Sequence, residues 1–176
     1  MPTPIVTDSV LRFPIPEGYA VEHVWESKPA ALIEELVGFW LEHKALPSQE
    51  AAAKRAPEVA AIVRDAGGAL AAISTVYQKL HPRFGATFHF YRCFVAPAHR
   101  RAGLAALLVF EVASYFQERF KEGHDPQVIG VFLEIENDAL QRTMNQAVWP
   151  VLPFVYAGKN QRGAHERVFF FEGARL

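Results

Sequence analysis

The pattern of apolar and polar positions predicts a mixed α/β chain, and its most regular part is residues 88–120. Up to Val95 this stretch is rich in aromatic and β-branched residues, which is typical of a strand. Beyond Pro97 the pattern changes. Apolar residues recur every three to four positions from Leu104 to Phe116, with a polar stripe opposite them. Residues 88–120 are therefore predicted to form a strand, a short turn and a long amphipathic helix.

The residues ahead of this unit predict one strand, two helices and a hairpin. The strand shows period-2 alternation, and the first helix has apolar residues at i, i+3 and i+4. Ser48 is a good cap for the second helix, which Pro57 ends. Gly67 and Gly68 lie in the predicted hairpin turn. The predicted ranges are 19–25 for the strand, 29–41 and 48–57 for the helices, and 59–65 and 70–80 for the hairpin strands.

The residues after this unit predict a strand, a short helix and a final antiparallel pair of strands. Residues 128–136 are apolar on both faces until their end, as buried parallel strands are. At the other end of the chain, residues 1–18 contain four prolines and predict an extended arm or an edge strand, with 10–13 its only strand-like piece. The remaining predicted ranges are 138–148 for the helix and 154–157 and 167–171 for the last strands.

Composition and charge predict one soluble domain over residues 1–176. The chain is 51% hydrophobic and 21% charged, and its net charge of −1 gives it no general attraction for nucleic acid. Cys93 is the only cysteine, which excludes an internal disulfide and favours a reducing, cytoplasmic location. No secretory signal and no membrane-length apolar run are visible. Without such a run we expect no membrane partner. The seven histidines lack metal-ligand spacing, so we expect no metal.

The turn from Arg100 to Ala105 has the chemistry of a phosphate site. The first amides of a helix have no intrahelical partner, and the helix dipole favours an anion beside them. Gly103 and Ala105 let an anion approach the backbone closely, because neither carries a bulky side chain. The alternative is an ordinary strand-to-helix turn with two surface arginines.

The spacing Arg100-x-x-Gly103-x-Ala105 resembles the signature of the GNAT superfamily, the acyl-CoA-dependent N-acetyltransferases. Val95 and Pro97 also stand where many members carry a Val-x-Pro ahead of that signature. The predicted order of elements resembles the GNAT topology over residues 19–172. The resemblance implies a mixed, mostly antiparallel sheet with one splayed parallel pair and flanking helices.

The resemblance also implies an activity: transfer of an acetyl group from acetyl-CoA to a primary amine, on a small molecule or a peptide. In the family the loop amides hold the pyrophosphate, and a backbone N–H of the signature strand stabilises the oxyanion. Asn137 matches a residue that contacts the pantetheine arm, although it also suits a helix cap. The implied cofactor-binding residues are Phe94, Val95, Arg100, Arg101, Ala102, Gly103, Leu104, Ala105 and Asn137.

Three residues are candidates for catalysis, namely His89, Tyr91 and Glu134. His89 matches the position of a catalytic Glu in histone acetyltransferases, and its ordinary pKa near 6.5 suits a base. The alternative is a hydrogen-bonded core histidine. Glu134 and Glu136 share a strand face and could attract an amine or relay its proton, or they could simply reach solvent.

One position departs from the family. Many members carry a general-acid Tyr seven residues past the Asn, and Met144 stands there. Tyr91, Tyr156 or water could replace it, or the thiolate could leave unassisted. Two further functions therefore stay open: a non-catalytic acyl-CoA-binding regulator or sensor, and a nucleic-acid-binding or scaffold protein.

The acceptor pocket is expected near residues 40–57 and the last strands, but the acceptor itself is not indicated. Four ring side chains could line the pocket, although such residues are more often core anchors. A homodimer is also plausible, because the apolar run at 168–171 needs cover. The four candidate lining residues are Trp25, Trp40, His43 and Trp149.

Overall fold

The structure of the protein, a computed structural model, describes residues 13–176 and places seven strands and four α-helices there. Most of the strand-like piece predicted at 10–13 lies outside the described residues. Two 3-10 turns, Ala56–Glu58 and Pro97–His99, complete the set. The strands are β1 (Tyr19–His23), β2 (Val59–Asp65), β3 (Leu70–His81), β4 (Ala86–Val95), β5 (Val128–Ile135), β6 (Val155–Lys159) and β7 (His165–Phe170), and the helices are α1 (Ala30–Glu42), α2 (Gln49–Arg55), α3 (Leu104–Lys121) and α4 (Asp138–Thr143).

All seven strands join one sheet in the order β1-β2-β3-β4-β5-β7-β6. Every neighbouring pair is antiparallel except β4 and β5, which are parallel and connected by α3. A parallel pair needs a crossover of this kind, because a tight turn cannot bring the chain back in the same direction. The predicted mixed, mostly antiparallel sheet with flanking helices is confirmed.

The helices cover the two faces of the sheet separately. Tyr91 and Val95 of β4 pack in the cluster that contains the apolar side of α3. Phe94 packs in the cluster formed by α1 and α2 around Leu36 and Trp40. Because side chains alternate along a strand, odd-numbered β4 residues lie on what we call the α3 face and even-numbered ones on the α1 face. The β4 strand thus sits between two cores.

Local chemistry explains where several elements begin and turn. The Ser48 Oγ accepts a hydrogen bond from the Ala51 amide at 3.1 Å, which caps α2 as predicted. In the β2–β3 hairpin, Asp65 Oδ1 accepts from the amides of Gly67 and Ala69 at 2.9 and 3.0 Å. These side-chain acceptors satisfy turn amides that would otherwise lack partners.

The helix predicted at 138–148 is shorter in the structure, because α4 ends at Thr143. The carbonyl of Met144 accepts from Arg167 Nη2 at 2.7 Å and from Trp149 Nε1 at 3.3 Å. Side chains have therefore taken an acceptor that another helical turn would use. The last two strands also shift by one to two residues from their predicted starts and ends.

The apolar run at 168–171 is mostly covered within the chain. Val168, Phe169 and Phe171 are 1%, 5% and 3% exposed, and only Phe170, at 40%, reaches solvent. The predicted homodimer therefore loses the observation on which it depended. Within residues 13–176, none of the helices combines the length and the apolarity that crossing a bilayer requires.

Candidate functional site

The parallel pair at the centre of the sheet opens into a gap at one end. The β4 and β5 strands pair from Thr87 with Val128 to Tyr91 with Leu133. Beyond Tyr91, residues 92–95 continue to pair with β3 but have no partner in β5. One edge of β4 is therefore open for four residues, at the carboxyl end where ligands bind in open α/β sheets.

The register shows which β4 amides point into this gap. The Ala96 amide donates to the Ala71 carbonyl at 2.9 Å, so Ala96 is directed at β3. Amides alternate along a strand, which directs Phe94 at β3 as well and leaves Cys93 and Val95 directed at the gap. Of the two predicted oxyanion donors, Val95 therefore has the free N–H, whereas the N–H of Phe94 is used within the sheet.

The turn after β4 delivers a second set of free amides. Gly103 precedes α3 with φ +76°, a left-handed conformation that glycine adopts without strain. No side chain among the described residues caps α3, and its first turn contains no acidic residue. A Cβ built on Gly103 would meet no atom within 4 Å, so the space above it is open. The amides of Leu104 and Ala105 thus face a site suited to an anion.

The two arginines of the turn are solvent-accessible. Arg100 Nε lies 3.4 Å from the Val95 carbonyl, which links the turn to the gap. Arg101 is exposed, and Ala102 is held by its amide donating to the His99 carbonyl at 3.1 Å. The structure therefore brings the predicted pyrophosphate loop beside the predicted oxyanion donor.

His89 has the surroundings of a core residue. It lies on the α3 face, is 1% exposed, and its ring packs 4.0 Å from that of Phe116. Trp25 packs against it at 6.4 Å between centroids. Burial lowers the pKa of His89 to about 4, outweighing the nearby Asp125. The ring is neutral at pH 7 but enclosed, and its role as a base stays a prediction.

Tyr91 lies on the α3 face at the last paired position of β4, where the gap begins. Its hydroxyl is buried, and the Cys93 thiol on the same strand face lies beside it. Burial raises the pKa of Tyr91 well above its ordinary value of 10.0, so the phenol keeps its proton at neutral pH. Tyr156 stands on β6, three strands away, or roughly 14 Å across the sheet. Of the two tyrosines, only Tyr91 adjoins the gap.

Glu134 occupies the opposite side of the gap from β4. It lies two residues past Phe132, which places it on the α1 face beyond the last β4–β5 pair. Its side chain is exposed, and Asn160 Nδ2 donates to its Oε1 at 2.9 Å. The second predicted carboxylate, Glu136, is held by Arg162 at 2.7 Å. Glu134 is therefore a positioned anion at the mouth of the gap.

Asn137 and Met144 flank α4, which follows β5. The Asn137 Oδ1 accepts from the Leu140 amide at 3.1 Å, so the side chain does cap the helix. Its amide nitrogen remains available to a ligand. Behind Met144, the fully buried Arg167 lies over the Trp149 ring, 4.7 Å from the centroid. Burial lowers the pKa of Arg167, and among the described residues no carboxylate pairs with it.

A small cavity of about 130 Å³ opens on the α1 face beside the gap. Of the four ring side chains named as candidate lining residues, Trp40 lines this cavity. Trp25 and Trp149 pack in the core cluster of the α3 face, and His43 lies edge-on to Phe39. A larger cavity of about 330 Å³ lies by Phe170, at the opposite end of the sheet from the gap. The smaller cavity is lined by Trp40, Ala45, Leu46, Arg55, Ile73, Thr75, Arg92, Cys93 and Phe94.

Arg55, Thr75 and Arg92 were not predicted as site residues. The sequence could have indicated Arg92, because it is a cation between Phe90 and Phe94 on a strand predicted to be buried. Arg55 and Thr75 lie on separate elements, and only the folded sheet brings them to Arg92. Among residues 13–176, no group of three or more metal-ligating side chains comes together.

Comparison with known proteins identifies the fold. No model of a known protein family matches the chain, and no curated protein matches it significantly. Solved structures do match. A GNAT-family acetyltransferase from Streptococcus pneumoniae is 14% identical, with a TM-score of 0.59 over 88% of this chain and 99% of that one. The ribosomal-protein-S5-alanine acetyltransferase from Vibrio fischeri is 11% identical, with a TM-score of 0.57 over 91% and 97%.

A third structure, of a KacTA–DNA complex, is 14% identical, with a TM-score of 0.56 over 87% of this chain and 93% of that one. At such identities the likeness establishes the fold. The chain has the fold of the GNAT acetyltransferases, so the resemblance drawn from the signature and from the order of elements is confirmed at that level.

Proposed function

We propose that the protein is an N-acetyltransferase that uses acetyl-CoA as donor and a primary amine as acceptor. One observation carries the proposal. The open edge of β4, with the free amide of Val95, leads into the uncapped start of α3, where the space above Gly103 is open. A thioester with a long pantetheine arm and a pyrophosphate fits this sequence of sites. Acetyl-CoA supplies the activated acetyl group.

The residues of the turn and the gap have distinct roles in this proposal. The amides of Leu104 and Ala105, with Arg100 and Arg101, bind the pyrophosphate through charge-assisted hydrogen bonds. The Val95 amide donates to the oxygen on which negative charge develops during acyl transfer. A donor fixed in a strand needs no reorganisation at that moment. Ala102, Phe94 and Asn137 shape the site around these donors.

Glu134 is our choice to receive the acceptor. It lies on the α1 face of the gap, opposite the side covered by α3, so an amine can approach from there without displacing the donor. A carboxylate attracts an ammonium group and can accept its proton, directly or through water. Asn160 fixes the orientation of Glu134 through its 2.9 Å hydrogen bond. His89 remains the other candidate base.

Tyr91 replaces the missing acid in this proposal. Tyr91 keeps its proton and is the last paired residue of β4 before the gap, whereas Met144 has no proton to donate. A thiolate is a good leaving group, so the loss of an acid is expected to slow the reaction rather than abolish it. Replacing Tyr91 with Phe should therefore lower kcat with little change in KM for acetyl-CoA.

A thermal-shift titration with acetyl-CoA tests the donor site. Ligand at a hundred times its Kd should raise the free energy of unfolding by about 2.7 kcal/mol. Gly103→Glu should abolish the shift, because a carboxylate repels the pyrophosphate. Gly173→Glu is the matched control: its φ is +82°, its surroundings are also open, and it lies in the C-terminal tail. A shift that persists in Gly103→Glu would place the ligand elsewhere.

Free-thiol release across a panel of amines tests turnover. The alternative function, a non-catalytic acyl-CoA regulator or sensor, is favoured by Met144 at the usual position of the acid. Stabilisation by acetyl-CoA without thiol release from any amine would support that alternative. The absence of stabilisation and of release would remove both functions.

A further inference from the structure

The cavity on the α1 face contains polar groups that lack partners. Thr75 is 3% exposed, and its Oγ1 has no hydrogen-bond partner among the described residues. The buried Nε of Arg92 lacks one as well. Thr75 and Arg92 are directly paired across β3 and β4, so their side chains are neighbours. Buried donors without partners are costly, which indicates that something else completes them.

The cavity also has an unbalanced positive charge. Arg92 pairs with Glu58 and lies over Tyr77, 4.4 Å from the ring centroid, which fixes its guanidinium. Arg55 forms no ion pair with any described residue. Burial, reinforced by the charge of Arg92, lowers the pKa of Arg55. Two cations with one anion leave the cavity with about one net positive charge.

The cavity adjoins the proposed acetyl-transfer site. Cys93, which lines it, belongs to the open part of β4, and its amide faces the gap. Arg92 and Glu134 each lie two residues past the paired residues Phe90 and Phe132, on the same face. A cationic pocket and an exposed carboxylate therefore lie on the two sides of one gap.

We propose that the acceptor is a primary amine that also carries a carboxylate, as amino acids do. Arg55, Arg92 and Thr75 bind the carboxylate, and Glu134 faces the ammonium group. The inference rests on the acetyltransferase function proposed above. The amine nitrogen bonds to the acetyl carbon as the carbon–sulfur bond breaks. The ammonium first loses one proton to Glu134 or water, which frees the nitrogen lone pair for attack. The sulfur keeps the electron pair of the broken bond, and the second proton of the nitrogen passes to the thiolate or to water.

Charge and size favour a carboxylate over a phosphate. One unbalanced positive charge matches one carboxylate, whereas a phosphate monoester carries about −1.5 to −2 at pH 7. The planar guanidinium groups suit a carboxylate geometrically. A cavity of about 130 Å³ holds a carboxylate with a short carbon chain. Its apolar wall, formed by Trp40, Leu46 and Phe94, would contact that chain.

Matched acceptors test the proposal in steady-state assays at saturating acetyl-CoA. We compare β-alanine with propylamine, phenylalanine with phenethylamine, and β-alanine with phosphoethanolamine. We expect the carboxylate-bearing acceptors to have a kcat/KM higher by about tenfold to a hundredfold, the worth of one charge-assisted hydrogen bond. Arg55→Gln should raise KM for the carboxylate-bearing acceptors and so remove that preference. Lys54→Gln, an exposed cation one residue away on α2, should have no effect.

Calorimetric titration with N-acetyl-β-alanine in the presence of CoA gives a readout that does not depend on turnover. Thr75→Val, which keeps the shape but removes the hydroxyl, should weaken this binding about tenfold. Thiol release with equal kcat/KM for both members of each pair would overturn the carboxylate assignment and leave the acetyltransferase intact. A preference for phosphoethanolamine would also overturn it. Binding of N-acetyl-β-alanine that depends on Arg55, without thiol release from any amine, would instead refute the acetyltransferase function. The cavity would then still bind a carboxylate.

Discussion

At position 89, a histidine takes the place of an apolar residue inside an aromatic cluster, and this gives stability a pH dependence. The unfolded chain binds a proton on His89 near pH 6.5, and the folded protein only near pH 4, because burial disfavours the cation. The free energy of unfolding is therefore highest above pH 6.5 and falls as the pH decreases towards 4. A difference of this size corresponds to about 3 kcal/mol. Urea unfolding at a series of pH values measures it.

The control is His89→Gln, which has no titratable group at this position. The variant should lose the part of the pH dependence that belongs to His89, while other groups titrate as before. The same variant tests catalysis, since removing a general base costs about 10²–10⁴-fold. We expect less than a tenfold loss of kcat, because the ring is enclosed. A loss of a hundredfold or more would identify His89 as the base in place of Glu134.

Strand β5 depends on a single glycine for its pairing with β7. A Cβ on Gly130 would lie 2.2 Å from the Phe169 carbonyl oxygen, a backbone atom that cannot rotate away. Gly130→Ala should therefore lower the free energy of unfolding by more than about 2 kcal/mol. Gly38→Ala is its counterpart in α1, where nothing lies within 4 Å. Helix propensity predicts that this substitution raises stability by about 0.5–1 kcal/mol. Equal changes in the free energy of unfolding for Gly130→Ala and Gly38→Ala would contradict the close approach of β7 to Gly130.

Strand β4 should show alternating hydrogen exchange beyond Tyr91. The amides of Arg92 and Phe94 pair with β3, whereas those of Cys93 and Val95 face the gap. In the free protein, NMR should find Cys93 and Val95 exchanging much faster than their neighbours. Saturating acetyl-CoA should slow Val95 most. Protection of Cys93 and Val95 in the free protein would mean that the gap is closed.

The elements followed from the sequence where local rules decide them. Strand β2 was predicted with its observed bounds, and the apolar periodicity that predicted α3 begins at Leu104, where the helix starts, because alternation and helical periodicity act within a few residues. The end of α4 could not be predicted, since Arg167 captures the Met144 carbonyl from 23 positions away. Likewise the turn at Arg100–Ala105 is visible in the sequence as a signature, whereas the cavity with Arg55 and Thr75 depends on the strand register.

Over the whole molecule, the two faces of the sheet carry different candidate binding regions. The α3 face holds the start of the helix that suits a pyrophosphate, and the α1 face holds the cavity with Arg55 and Arg92. The gap between β4 and β5 connects the two faces of the sheet. In the proposed reaction, donor and acceptor enter from opposite sides of the sheet and meet in this gap, as direct transfer in a ternary complex requires.

The charge of the whole molecule bears on nucleic acid, which one protein of similar fold contacts in a KacTA–DNA complex. Here the net charge is −1, and many arginines are already in ion pairs, as Arg64 is with Glu22 and Glu35 and Arg83 is with Glu166. Binding to duplex DNA depends on cations that neutralise phosphates and release counterions. We therefore expect affinity for a short duplex to be weaker than about 10⁻⁴ M at physiological salt, measured by fluorescence anisotropy.

The salt dependence of the two ligands separates an acyl-CoA site from a nucleic-acid surface. Acetyl-CoA should bind with a shallow slope of log K against log salt, because the turn offers only Arg100 and Arg101 as exposed cations. Arg100→Gln combined with Arg101→Gln should weaken acetyl-CoA binding and leave the weak DNA binding unchanged. A steep slope with DNA, equivalent to about six or more phosphate contacts, and its loss in the double variant would show that the turn serves nucleic acid. The turn would then hold the phosphates of a polymer rather than those of a cofactor.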